Sequence, residues 1–221
     1  VARLRRRTAI LISGRGSNMA ALMRAARAPD YPAEISLVLS NEPEAAGLAV
    51  AEKAKVRTAV VDHRPYRTDR AAHDAAIATI LADAQIEIVC LAGYLRMLTP
   101  LLVSKYKGRM LNIHPSLLPS FPGLDTHAHA LKAGVKLHGC TVHVVTDKMD
   151  DGPIIAQAAV PVMPDDDAAS LAARVLAQEH ILYPLALRLV ASGLDGYSDP
   201  RAALLNPQPT PPAEPMAAPL A

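Results

Sequence analysis

The sequence predicts an α/β fold: a mostly parallel sheet with helices on both faces and an antiparallel hairpin on its C-terminal side. Three observations carry this expectation. Short aliphatic or β-branched runs alternate with Ala-rich stretches of helical length. Those runs are apolar at successive positions, as in strands covered on both faces. The rhythm then breaks after His114, and the two extended runs that follow are joined by a turn-rich segment.

Thr8–Ile12 reads as the first buried strand. Asn18–Ala28 follows as a helix, stopped by Pro29, which has no N–H to continue the ladder. Ile35–Ser40 is a second strand, with a turn at Asn41-Glu42-Pro43. Ala45–Ala54 is a helix, Arg57–Val61 a short strand and Thr68–Ala84 a long helix. Ile86–Ala92 is unbroken in its apolar character and reads as a central strand. Pro100–Tyr106 opens with proline, which suits the first turn of a short helix, and Arg109–His114 is the next strand. Residues 115–125 hold Pro115, Pro119, Pro122 and Gly123, with Leu117, Leu118 and Phe121 between them, and read as a long ordered loop. Thr126–Ala133 is helical. His138–Thr146 and Ile154–Val160 form a hairpin around 147–153. Asp167–Ser192 is a long helix, with Asp165, Asp166 and Asp167 at the positive end of its dipole. The alternation describes a Rossmann-like sheet.

A single domain is expected over 1–199. Its N-terminal half, about 8–106, would bind phosphate, and its C-terminal half, about 107–199, would carry the chemistry. Seven of the 19 prolines fall in 200–221, which reads as a Pro-rich tail without chemistry.

Composition excludes several functions. Hydrophobic residues make up 51% of the 221 and charged residues 20%, so the chain can bury a core without metal or disulfides. Lys and Arg less Asp and Glu leave 23 − 21 = +2, too little field to wrap nucleic acid. Aromatics are 3%, with no Trp, so stacking platforms for bases are scarce. No apolar run approaches the about 18 residues of a membrane span, and Ala9–Ile12 is too short for a signal-peptide core. Cys90 and Cys140 sit in apolar runs without a CxxC pattern, as buried reduced thiols do. A cytoplasmic protein without nucleic-acid or membrane partners is expected.

Three constellations could carry chemistry. Ser13-Gly14-Arg15-Gly16-Ser17-Asn18 follows the first strand and opens a helix, so its backbone N–H groups could hold an anion. Met19 stands where a G-x-G-x-x-G fingerprint needs glycine, so the loop suits a single phosphate, or else it is a plain tight turn with Asn18 as cap. Asn112 and His114 lie two apart on a strand and so face one side at its C-terminal end, where open α/β sheets bind ligands. There Asn112 could donate to a developing oxyanion and His114 could carry a proton, or the pair is an ordinary polar strand end. The third, Asp147-Lys148-Met149-Asp150-Asp151-Gly152-Pro153, could bring a carboxylate to an active-site histidine, or it is a solvated acidic turn. No histidine spacing has the pattern of a metal site, and no metal is expected.

Taken in order, several stretches resemble the small folate-dependent phosphoribosylglycinamide formyltransferases. They are Leu11-Ile12-Ser13-Gly14-Arg15-Gly16-Ser17-Asn18, Leu91-Ala92-Gly93-Tyr94-Leu95-Arg96-Met97-Leu98, Leu111-Asn112-Ile113-His114-Pro115, His138-Gly139-Cys140-Thr141-Val142-His143 and Gln178-Glu179-His180. They span roughly residues 8–190. The resemblance implies the formyltransferase fold and a reaction in which the amine of glycinamide ribonucleotide takes the formyl group of 10-formyltetrahydrofolate. It implies that Asn112 holds the oxyanion, that His114 moves the proton and that Asp150 holds His114 and favours its charged form. Gly16, Ser17 and Asn18 would bind the ribonucleotide phosphate, and Gln178 and Glu179 its ribose hydroxyls. Arg70, Leu95, Arg96, Met97 and Leu98, with Asn112 and the loop Thr146, Asp147, Lys148, Met149 and Asp150, would line the folate pocket. Thr141 and His143 would support the His114–Asp150 pair from behind. Asp151 stands where the family commonly has Gly, and aspartate tolerates a positive φ better than most residues. The partners would be small molecules, and the protein a monomer or homodimer.

The rivals are another formyltransferase or hydrolase using 10-formyltetrahydrofolate on the same fold, and a non-catalytic phosphosugar-binding module. The tRNA-directed enzymes add a C-terminal nucleic-acid-binding domain and the hydrolases an N-terminal regulatory one, and neither is expected here. The binding module would need the phosphate loop but not Asn112, His114 and Asp150 together.

Overall fold

The structure is a computed structural model and describes residues 5–193. Seven strands make one sheet: β1 (Arg6–Ile12), β2 (Ala33–Ser40), β3 (Thr58–Val60), β4 (Ile88–Leu91), β5 (Met110–His114), β6 (Leu137–Val144) and β7 (Ile154–Pro161). Between and after them come α1 (Ser17–Ala25), α2 (Ala46–Lys53), α3 (Arg70–Asp83), α4 (Pro100–Lys105), α5 (Thr126–Ala133) and α6 (Ala168–Ala191). The strand order is β3-β2-β1-β4-β5-β6-β7. The first five pair in parallel, while β6 runs antiparallel to both β5 and β7. The expected fold class is therefore the observed one. The order reverses between β1 and β4, which opens a crevice at the C-terminal ends of those strands.

The core lies on both faces, which explains why the strands read as unbroken apolar runs. Ile10 and Ile12 pack on the side of α1 and α6, while Ala9 and Leu11 pack on the side of α3 and α4. Cys90 and Cys140 are fully buried, and burial pushes the Cys90 thiol up to about 12, so it stays protonated. Tyr183, on α6, reaches the sheet, where its one hydroxyl proton is shared between the carbonyls of Leu91 in β4 (3.0 Å) and Leu111 in β5 (3.1 Å).

The boundaries differ from expectation for identifiable reasons. The long helix begins at Arg70, not Thr68, because Asp69 caps it by accepting from the Ala72 N–H at 2.9 Å. A separate short 3₁₀ turn forms at Arg64–Tyr66. Helix α1 ends at Ala25 because the N–H groups of Arg27 and Ala28 turn to carbonyls three residues back. The expected tail at 200–221 lies outside the described residues, as does the end of the expected 1–199 domain.

Candidate active site

The crevice is built from four loops and one helix face. The first loop, Ser13–Asn18, leaves β1 and enters α1. Gly16 is the helix N-cap with φ 72°, and a Cβ there would sit 3.2 Å from the Gly47 Cα. Glycine is required on both counts. No side chain caps α1, so its first N–H groups are left to a ligand. Asn18 is not the cap; its Nδ2 donates to Glu179 Oε2 at 2.6 Å, across 161 residues of sequence. Glu179 is buried, and burial pushes its carboxyl above the usual range, opposed by the Asn18 bond and by nearby His114. Gln178, one residue earlier on α6, is half-buried, and its Oε1 has no hydrogen-bond partner.

The second group stands on β5 and β6. Register places Asn112 opposite His143 and His114 opposite Thr141. His143 Nδ1 lies 3.1 Å from the Val144 carbonyl, so that nitrogen carries the proton. Burial holds the ring below the usual histidine range, which keeps it neutral near pH 7. Its Nε2 is then an acceptor, and Asn112 Nδ2 donates to it at 3.2 Å. This fixes the Asn112 amide with one N–H still free for a ligand.

His114 is engaged at both ring nitrogens. Its Nε2 donates to the Phe121 carbonyl at 3.0 Å, and its Nδ1 lies 3.5 Å from Asp150 Oδ2. That same oxygen accepts from the Gly123 N–H at 2.9 Å. Asp150 Oδ1 lies 3.8 Å from His143 Nε2. One carboxylate thus sits between two histidines, and Asn112, His114, Asp150 and His143 form one cluster.

Thr141 is placed differently from expectation. Its hydroxyl donates to the Ser116 carbonyl at 2.7 Å and accepts from Leu118 N–H and Gln157 Nε2. It holds the loop after His114, not the His114–Asp150 pair. Strand register explains this, since Thr141 lies opposite His114, beneath the chain that leaves β5.

The turn 147–153 also departs from expectation. The residue with positive φ is Asp150, at 53°, and not Asp151. The obligatory glycine is Gly152, where a Cβ would meet the Val144 carbonyl oxygen at 1.6 Å. Asp151 is exposed and pairs with Lys148 at 3.5 Å. Asp147, Lys148 and Met149 are exposed, and Thr146 closes a small turn by accepting from the Lys148 N–H.

The remaining loop, Gly93–Leu98, follows β4. Leu95 is 78% exposed and Met97 45%, while Arg96 and Leu98 are half-buried. Ser13 ties this loop to the first: its N–H donates to the Gly93 carbonyl at 3.1 Å, and its Oγ accepts from the Leu95 N–H at 2.9 Å. The sequence places Ser13 at the start of the Gly-rich loop but assigns it no role of its own; its position between a strand end and Gly14 is the available signal. A cavity of about 520 Å³ lies beside it, lined among others by Arg15, Asn41, Glu42, His63, Leu95 and Arg96. Arg70 is exposed at the first position of α3. Among the described residues no three His, Cys, Asp or Glu side chains converge as a metal site. No described helix is long and apolar enough to cross a membrane.

The formyl transferase family profile matches residues 6–187. The chain is 42% identical over 184 residues to the phosphoribosylglycinamide formyltransferase of Escherichia coli (strain K12), covering 83% of this chain and 86% of that one. A crystal structure of the Brucella melitensis phosphoribosylglycinamide formyltransferase matches at 56% identity and a TM-score of 0.82, covering 86% of this chain and 97% of that one. The trifunctional purine biosynthetic protein adenosine-3 of Homo sapiens is 50% identical over 187 residues, 85% of this chain. This chain spans only 18% of that larger protein. By profile, identity and fold, the chain belongs to the formyl transferase family, in its phosphoribosylglycinamide formyltransferase branch.

Proposed function

We propose that the chain transfers the formyl group of 10-formyltetrahydrofolate to the amine of glycinamide ribonucleotide, as a step of purine synthesis. The observation that carries this is the convergence of Asn112, His114 and Asp150 beside the open N-terminus of α1. The helix terminus takes the phosphate of the ribonucleotide at Gly16, Ser17 and Asn18. Glu179, held by Asn18, meets the ribose hydroxyls, with Gln178 beside it. The folate lies along Leu95, Arg96, Met97 and Leu98, with Arg70 and the 146–150 loop at its borders.

The amine nitrogen attacks the formyl carbon and forms the new C–N bond. The carbonyl oxygen becomes an oxyanion, which takes the free N–H of Asn112. The adduct collapses as the bond from carbon to N10 breaks. The amine loses one proton and N10 gains one, so the balance closes on the folate product and formylated ribonucleotide. His114 carries that proton, and Asp150 stabilises the charged ring between the two transfers. His114 Nε2 is bonded to the Phe121 carbonyl, and proton transfer through that nitrogen requires the bond to give way to the reacting nitrogens.

On this reading the partners are two small molecules in the cytoplasm, and the protein acts as a monomer or homodimer without a metal. The near-neutral charge and the scarcity of aromatics support the absence of a nucleic-acid partner. The test is turnover of glycinamide ribonucleotide with a 10-formylated folate, followed by absorbance. Formylated ribonucleotide should accumulate with the folate product. Formate released without ribonucleotide would make the protein a hydrolase instead.

A further inference from the structure

Beneath the Gly93–Leu98 loop lies a set of buried polar groups that no step above uses. His73 and Asp74, side by side on α3, are both fully buried. Asp74 Oδ2 accepts two hydrogen bonds from Thr99, from its N–H at 2.5 Å and its hydroxyl at 2.8 Å. Thr99 is the N-cap of α4 and the residue that ends the loop. His73 Nε2 is bonded to the Val61 carbonyl at 2.9 Å, and its Nδ1 lies 3.7 Å from Asp74 Oδ1. Asp74 Oδ1, the Tyr94 hydroxyl and the Nε and Nη2 of Arg96 are buried without hydrogen-bond partners.

A buried carboxylate is tolerated where hydrogen bonds satisfy it, and Thr99 supplies two to Asp74 Oδ2. The other end of the loop is held separately, by Ser13 at Gly93 and Leu95. We propose that Asp74 is a positioning residue: its buried carboxylate pins Thr99, the residue that ends the loop, and so sets the shape of the loop that holds the folate. This rests on the folate reading of that loop given above.

Asp74→Asn keeps the shape and one acceptor while removing the charge. The KM for 10-formyltetrahydrofolate should rise about tenfold, the scale of one charge-assisted hydrogen bond. The ribonucleotide KM and kcat should stay within about twofold, because only uniform binding of one substrate is lost. Amide hydrogen exchange at Leu95–Leu98 in the ligand-free protein should quicken, a readout independent of what the loop binds. Thr99→Val, which keeps the backbone bond and loses the hydroxyl one, should give the same split on a smaller scale. It carries the test if Asp74→Asn does not fold. Equal losses for both substrates, or a fall in kcat alone, overturn the proposal. Unchanged exchange overturns it too. Faster exchange with an unchanged folate KM also overturns it and lays the fault on the folate assignment. Failure of the wild type to transfer formyl groups refutes the proposed function, and exchange still reports on the anchor.

Discussion

His114 carries the sharpest residue-scale prediction, because its Nδ1 faces Asp150 while Asn112 stands two residues back on the same strand. His114→Ala should lower kcat about 10²–10⁴-fold, as loss of a positioned acid–base group does. Asn112→Ala should lower it about 10²–10³-fold, the effect of one oxyanion donor. The double variant His114→Ala, Asp150→Asn should be scarcely slower than His114→Ala if, as proposed, both act on one proton transfer. Losses that multiply in steady-state assays would separate Asp150 from His114. A second prediction concerns His138. Burial, with His127 beside it, lowers its pKa from 6.5 to about 4. Between those values the unfolded chain binds a proton that the folded chain refuses. Stability should therefore be intact above 6.5 and fall as pH drops towards 4. Tm followed over that window should decline, and His138→Gln should flatten the decline; an equal slope in both proteins would assign it to other groups. At this scale Asn112 and His114 were legible, because strand alternation alone puts them on one side. The Asn18–Glu179 bond was not, because nothing local relates residues 161 positions apart. Thr141 was misread for a related reason: alternation tells which face a side chain takes, not which loop lies over it.

Among the elements, the turn between β6 and β7 gives expectations of very different size for adjacent residues. Gly152→Ala drives a methyl group into the Val144 carbonyl and should cost about 3 kcal/mol, measured by denaturant unfolding. Asp151→Gly should destabilise by about 0.4–1 kcal/mol, because it frees the unfolded chain and gives up only an exposed ion pair with Lys148. Stabilisation would mean that residue 151 is the strained one, against the positive φ at Asp150. The elements were largely legible, since aliphatic strands and Ala-rich helices have different periods. Their ends were less so. Apolar pattern continues past Ala25 although the hydrogen bonds have already tightened, and the cap at Asp69 is a matter of one side chain.

For the whole molecule, the parallel sheet followed from its two-sided apolar strands, but the order β3-β2-β1-β4-β5-β6-β7 did not, because crossovers leave no local mark. That order brings α6 back across the sheet, where Tyr183 reaches the Leu91 carbonyl in β4 and the Leu111 carbonyl in β5, and Glu179 meets Asn18. The two contacts are four residues apart on one helix, so they share a rotational phase. Tyr183 works as a fiducial mark: it sets the azimuth at which every earlier turn of α6 faces the cleft. A single alanine inserted between Glu179 and Tyr183 would leave the phenol seated and twist Glu179 away by about 100°. Ribonucleotide KM should then rise while folate KM holds, and an alanine inserted after Ser192, beyond the helix, should change neither. If both insertions behave alike, the helix is not indexed by Tyr183.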